Sequence, residues 1–157
     1  MEAAGKQQAE ALLGELAALL DTPELAFDGN GVARMAMDDV LVEVEFAEDG
    51  GRLLLLSPLG KPEKELAECY GRLLDANFYG LGTADATIAR DPATQLLVLQ
   101  RPLALASLDL AGFEAALGSF VSAAEILMNG LEAGSAVDVE PATVIPTTAP
   151  SHLAIRG

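Results

Sequence analysis

A chain of 157 residues is long enough to bury a core without disulfides or metal, and with 51% hydrophobic but only 4% aromatic residues and no Trp, that core must be aliphatic. Nine Lys plus Arg against 24 Asp plus Glu give a formal charge of −15, which repels nucleic-acid backbones and anionic membrane surfaces. A mean hydropathy of +0.33 distinguishes this acidity from that of a disordered acidic chain, which would be poor in aliphatic side chains.

In chain order, Ala9, Leu12, Leu13, Leu16, Leu19 and Leu20 recur at helical spacing, so the first element is an amphipathic helix over residues 6–20. The N-terminal residues MEAAGKQQAEALL carry acid where a secretory signal would carry base and reach their apolar residues already in helical period, so no signal peptide is expected. Asp21-Thr22-Pro23 stops the helix. Leu25-Ala26-Phe27 reads as a short strand leading into Asp28-Gly29-Asn30-Gly31, a turn whose residues tolerate positive φ.

Residues 32–37 form the next strand, and Asp38-Asp39 turns it into a second. In that second strand Val40, Val42, Val44 and Phe46 alternate with Leu41, Glu43 and Glu45, the period of a sheet with one face on a core and one toward water. Glu48 to Gly51 turns the chain again, and residues 52–57 include four consecutive leucines. Such a strand is covered on both faces, or one of its faces is a docking surface.

A central helix opens at Pro62 with Leu66, Cys69, Tyr70, Leu73 and Leu74 on one stripe, and ends at Asn77 and Gly80. Two β-type runs follow, residues 83–90 and 95–101, joined by Asp91-Pro92-Ala93-Thr94. Asp109 then caps a last helix bearing Phe113, Leu117, Phe120, Val121, Ala124, Leu127 and Leu131, which fades between Asn129 and Gly134. Residues 134–157 hold Pro141, Pro146 and Pro150 without periodicity and read as a flexible tail. The expected fold is a single α+β domain over 1–133: an antiparallel twisted sheet with three helices in α-β-β-β-β-α-β-β-α order, packed as a two-layer sandwich.

Catalytic chemistry is hard to place on this plan. The one histidine, His152, sits in the tail, away from any rigid element. The one cysteine, Cys69, excludes an internal disulfide and fits a reducing compartment; on an apolar stripe beside Glu68 it lacks the basic surroundings of a nucleophile. The acidic pairs Asp38-Asp39 and Glu48-Asp49 fall in hairpin turns, where such residues serve the backbone, and Asp28-Gly-Asn30-Gly lacks the spaced ligands of a calcium loop. Gly80-Leu81-Gly82 lacks the preceding strand and following helix of a phosphate loop. No enzyme activity, metal or cofactor is expected, and the apolar faces become the candidate sites.

The passages ALLGELAALLD, LAFDGNGVARMAMDD, VLVEVEF, LLDANF, LVLQRPLALASLD and FVSAAEIL together resemble the class I type III secretion chaperones, the CesT-like family of small acidic bacterial proteins, over about residues 6–131. The resemblance implies a cytoplasmic homodimer in which central helices of two copies pack together, carried here onto Leu66, Tyr70, Leu73, Leu74, Asn77 and Phe78. It also implies that the N-terminal segment of a secreted effector wraps around the dimer in extended form and adds a strand to a sheet edge, without ATP. Matching contacts are Leu13, Leu16 and Leu20 on the first helix, with Phe27, Val32, Met35, Val42 and Val44 on the strands. The partners so implied are a second copy and an effector, with neither nucleic acid nor membrane. Two features depart from the family pattern: the tail has no counterpart, and Ile126-Leu127 stands where an aromatic is common. The rival reading is a regulatory or scaffolding domain of the same fold unconnected with secretion.

Overall fold

The computed structural model describes residues 2–47, 51–64 and 66–132. Helix α1 spans Glu2–Leu19, and strands β1 (Val32–Met37), β2 (Val40–Ala47) and β3 (Arg52–Gly60) follow. Helix α2 (Leu66–Asn77) runs into a 3₁₀ turn, Phe78–Gly80; then come β4 (Thr87–Arg90), β5 (Leu97–Ala104), a second 3₁₀ turn and α3 (Leu110–Glu132). The strands form one antiparallel sheet in the order β1-β2-β3-β5-β4. The α+β class and the antiparallel sheet are as the sequence predicts.

Alternation decides the inner face. Ala33 and Met35, Val40 through Phe46 at every second position, Leu53, Leu55 and Leu59, and Leu97, Leu99 and Leu103 are all buried. The helical layer meets them with Ala9, Leu12, Leu13, Leu16 and Ala17 from α1 and Phe113, Leu117, Phe120, Val121 and Leu127 from α3. Phe113 and Phe120 are the largest fully buried side chains, so the few aromatics sit where their area counts most. Helix α3 is long and apolar enough to cross a bilayer by length and composition, but its apolar stripe is taken up by this core.

Polar contacts hold the layers in register. Asp109 caps α3, accepting the Gly112 N–H at 2.8 Å through its side chain, as the sequence predicts. Gln8 Nε2 donates to the Leu105 carbonyl at 2.7 Å and ties α1 to the end of β5, while Arg101 reaches from β5 to Ser119 Oγ on α3 at 3.0 Å.

Several elements differ from expectation. Leu25-Ala26-Phe27 forms no strand: Asp28 folds back onto Val32, and three strands, not four, precede α2. Strand β3 runs on to Gly60, so residues 61–64 are used as a link and α2 starts at Leu66 rather than Pro62. Leu19 faces solvent while Ala17 takes the buried position. The turn through Glu48 and the tail 134–157, with His152, lie outside the described residues.

Two prolines lie inside strands, and both stand where only one neighbour is paired. Pro58 in β3 is past the end of the β2 ladder, at a register irregularity with β5; Pro102 in β5 pairs with Leu54 beyond the reach of β4. A missing N–H therefore interrupts no ladder.

The β4 margin of the sheet is sealed from inside the protomer. Asn77, the last residue of α2, accepts the Ile88 N–H at 2.7 Å and donates its own amide to the Ile88 carbonyl at 3.0 Å. The side chain thus imitates the backbone of a further strand. Replacing it in Asn77→Ala leaves a half-buried donor and acceptor without partners, and should lower unfolding stability by about 2 kcal/mol in urea melts, with the far-UV circular dichroism of the native state retained.

Candidate functional site

The opposite margin is open. In β1, the N–H of Val32 bonds Asp28 Oδ1 at 3.1 Å and its carbonyl accepts the Asp28 N–H at 2.9 Å. Val32 therefore points its backbone away from β2, and by the alternation of an antiparallel ladder so do Arg34 and Ala36. No intramolecular hydrogen bond closes the backbone groups of those two residues among the described contacts. The edge is blocked at its start by the Asp28 turn and free along the rest.

Beside this edge lies a cleft of about 560 Å³ lined by Leu20, Thr22, Glu24, Leu25, Arg34, Met35, Ala36, Met37 and Asp38. Its apolar wall comes from the end of α1, the following turn and the inner face of β1. An extended peptide beside β1 would find backbone partners at Arg34 and Ala36 and side-chain room against Leu20, Leu25, Met35 and Met37. Arg34 is held in place by Asp28 Oδ2 at 3.2 Å and Glu43 Oε1 at 2.8 Å.

A second apolar surface runs along α2. Leu66, Tyr70, Leu74 and Phe78 recur at steps of four and form one ridge, with Leu74 69% and Phe78 66% exposed and Tyr70 half-buried. The ridge continues into Tyr79, at 79% the most exposed large hydrophobic side chain among the described residues, and Leu81. Phe78 and Tyr79 stack edge to face with centroids 4.6 Å apart, and Tyr79 holds a left-handed φ of 54°.

The residues singled out from sequence divide accordingly. Leu66, Tyr70, Leu74 and Phe78 share the ridge, whereas Leu73 is turned into its own core and Asn77 is engaged with β4. Of the strand and helix positions, Leu20 and Met35 line the cleft, while Phe27 and Val32 are half-buried nearby. Leu13, Leu16, Val42 and Val44 are fully buried between sheet and helices and have no surface to offer. Sequence reasoning did not reach Leu25, Arg34, Ala36 and Met37 in the cleft, or Tyr79 and Leu81. The last two carried a signal, large apolar side chains next to glycines in a connection, where no core demands them.

The residues tested for chemistry stay apart. Asp38 and Asp39 occupy an exposed two-residue hairpin turn, Asp38 with φ of 52°. Burial pushes the Cys69 thiol up, away from the thiolate a nucleophile needs. Among the described residues no three His, Cys, Asp or Glu side chains are grouped to hold a metal.

The model of the Tir chaperone protein (CesT) family matches residues 11–128. The chain belongs to this CesT family. Solved structures share its fold. The ExsC-ExsE complex aligns with a TM-score of 0.67 at 24% identity, covering 80% of this chain and 95% of that one. The HopA1-SchA chaperone-effector complex gives 0.68 at 19%, covering 82% and 95%. The ExoT-SpcS complex from Pseudomonas aeruginosa gives 0.59 at 23%, covering 75% and 95%. No curated protein sequence matches the chain. In this CesT-family chain the region outside the family match is chiefly residues 129–157.

Asp28 sets where the open edge begins, and its charge can be tested. Hydrogen bonds from the Val32 and Asn30 N–H groups, with a smaller contribution from Arg34, hold its carboxyl below the ordinary value of 3.8. A depressed folded-state pKa means that the turn gains from ionised Asp28 above pH 3.8 and loses that gain as pH falls through the lower, folded value. The amide resonances of Asn30 and Val32 should titrate with a midpoint below 3.8, and Asp28→Asn should abolish that titration.

Proposed function

We propose that this protein is a non-catalytic, ATP-independent chaperone that binds the N-terminal segment of a type III secreted effector and keeps it extended, soluble and competent for export. The carrying observation is the free β1 edge beside the apolar cleft at the end of α1. Strand addition supplies main-chain hydrogen bonds and the cleft accepts alternate side chains, so the site suits an unfolded polypeptide rather than a compact ligand. Membership of the CesT family supports this reading, and one of the structures sharing the fold, HopA1-SchA, is described as a chaperone-effector complex. The strong negative charge keeps such a surface soluble in the bacterial cytoplasm and favours a basic client segment.

The working unit in this proposal is a homodimer joined through the α2 ridge. Leu66, Tyr70, Leu74 and Phe78 are the contact residues, extended by Tyr79 and Leu81; Leu73 and Asn77 act from within, supporting the helix from its own side. A second copy removes exposed leucine and aromatic area from water, and each fully buried side chain of that size contributes about 1.5–3 kcal/mol.

Co-expression with the secreted protein encoded beside it should yield a complex of two chaperone copies per effector, and a chain that stays monomeric and captures no such partner overturns the reading. Ala36→Pro removes one free edge donor at a position where an edge strand tolerates proline. It should weaken effector binding about tenfold in calorimetry, with the melting temperature nearly unchanged. Leu74→Asp should lower the mass in light scattering from two copies to one with the fold intact, whereas Leu73→Asp should unfold the protomer, because a carboxylate there is buried without a partner.

A further inference from the structure

The surroundings of β1 also restrict which client segment the edge can take, and in which direction. We propose that it selects an extended segment running antiparallel to β1 that reads, from its N-terminal side, a Lys or Arg, an apolar residue, any residue and a second apolar residue. The proposal rests on the reading of this edge as a strand-addition site and adds the sequence and the direction of the guest.

Register comes first. Val32, Arg34 and Ala36 turn their backbone groups away from β2, and Val32 is already closed by Asp28, so an added strand bonds at Arg34 and Ala36. Every strand pair in this sheet is antiparallel, the slightly more stable sense. In that sense one guest residue exchanges both backbone hydrogen bonds with Arg34, and the guest residue two positions earlier does so with Ala36. Asp28 makes the same double closure on Val32, with its N–H and one carboxylate oxygen.

Residues directly opposite each other share a face of the sheet. Arg34 and Ala36 are on the exposed outer face, whereas Met35 and Met37 are on the inner one. The guest residue between the two bonded ones therefore stands opposite Met35, and the residue before them stands opposite Met37. Both point into the cleft, where Leu20 and Leu25 form the far wall. Two apolar side chains with one residue between them match this spacing, and polar residues there would be desolvated without partners.

Charge fixes the remaining position. Glu24, Arg34 and Asp38 also line the cleft. Arg34 is engaged by Asp28 at 3.2 Å and Glu43 at 2.8 Å, so a guest carboxylate finds its cation already taken. The carboxylates of Glu24 and Asp38 have no partner among the described residues. Asp38 directly follows Met37, so an antiparallel guest brings the residue before its first apolar position beside that carboxylate. A Lys or Arg there is attracted and an acid is repelled. A parallel guest would need its cation after the apolar pair, so the order of residues reports the direction of entry.

The test uses the full chain without effector and three acetylated, amidated peptides: Arg-Leu-Ser-Leu-Ser, Glu-Leu-Ser-Leu-Ser and the reversed Ser-Leu-Ser-Leu-Arg. Binding is read at low salt from the NMR shifts of the Arg34 and Ala36 amides. The first peptide should bind about fivefold more tightly than the second, and more tightly than the third, which has the same composition. Asp38→Asn combined with Glu24→Gln should make the first two equal with the melting temperature unchanged, since both side chains are exposed and Asn accepts the φ of 52° at position 38. Equal binding of the first two peptides to the unaltered chain overturns the proposal, as does tighter binding of the reversed one or a preference that survives in the double variant. If no peptide shifts either amide, strand addition at β1 falls and the proposal with it. Effector capture in co-expression is a separate readout: it can succeed while the three peptides bind alike, which removes only the sequence rule.

Discussion

The protomer depends on one packing event, the closure of α1 and α3 over the inner face of the sheet. Leu53, Leu55 and Leu99 at the sheet centre meet Phe113, Leu117 and Phe120 above, with Leu13 and Leu16 completing the layer, and all are nearly or fully inaccessible to water. At interior packing density such a layer tolerates little change in volume, which makes it a rigid platform. Whatever the two end helices fail to cover is thereby fixed in position: one strand edge and one helical ridge.

The two margins of the sheet are treated in opposite ways. At β4 a single asparagine closes the ladder with a side chain that has both a donor and an acceptor, which neither Asp nor a hydrophobe could supply. At β1 the Asp28 turn closes only the first residue, and the remaining backbone groups stand next to an apolar cleft. An unpaired edge is a hazard for aggregation in most proteins, and addition of a strand from another chain is one way such an edge is covered. The surplus of carboxylates acts against that hazard, since mutual repulsion opposes indiscriminate pairing of edges between copies.

The leucine-rich strand illustrates how one element serves both sides. Leu53 and Leu55 enter the core, while Leu54 and Leu56 remain partly exposed on the other face, across from Glu45 and Glu43 on β2 and from Pro102 and Gln100 on β5. The acidic neighbours keep this apolar strip from being a continuous patch. It is the flank of the platform, separated from the open edge at β1 by β2.

Periodicity in the sequence was enough to determine the helices, the cores of all five strands, the alternation that buries Val40, Val42, Val44 and Phe46, and the cap at Asp109, because these depend on neighbours a few residues apart. It was enough, too, for the family resemblance, since that pattern is spread over the whole domain. It could not distinguish Leu73 from Leu74, or Leu16 from Leu20, because both members of each pair lie on an apolar stripe and only the tertiary contacts decide which is turned into the protomer. The same holds for Asn77, which read as a helix terminator and proved to be the seal on an edge strand 11 residues away in sequence. The free backbone of Arg34 and Ala36 was beyond sequence altogether: hydrogen-bond vacancy along a strand is set by which neighbours arrive beside it, and that is settled only when the sheet assembles.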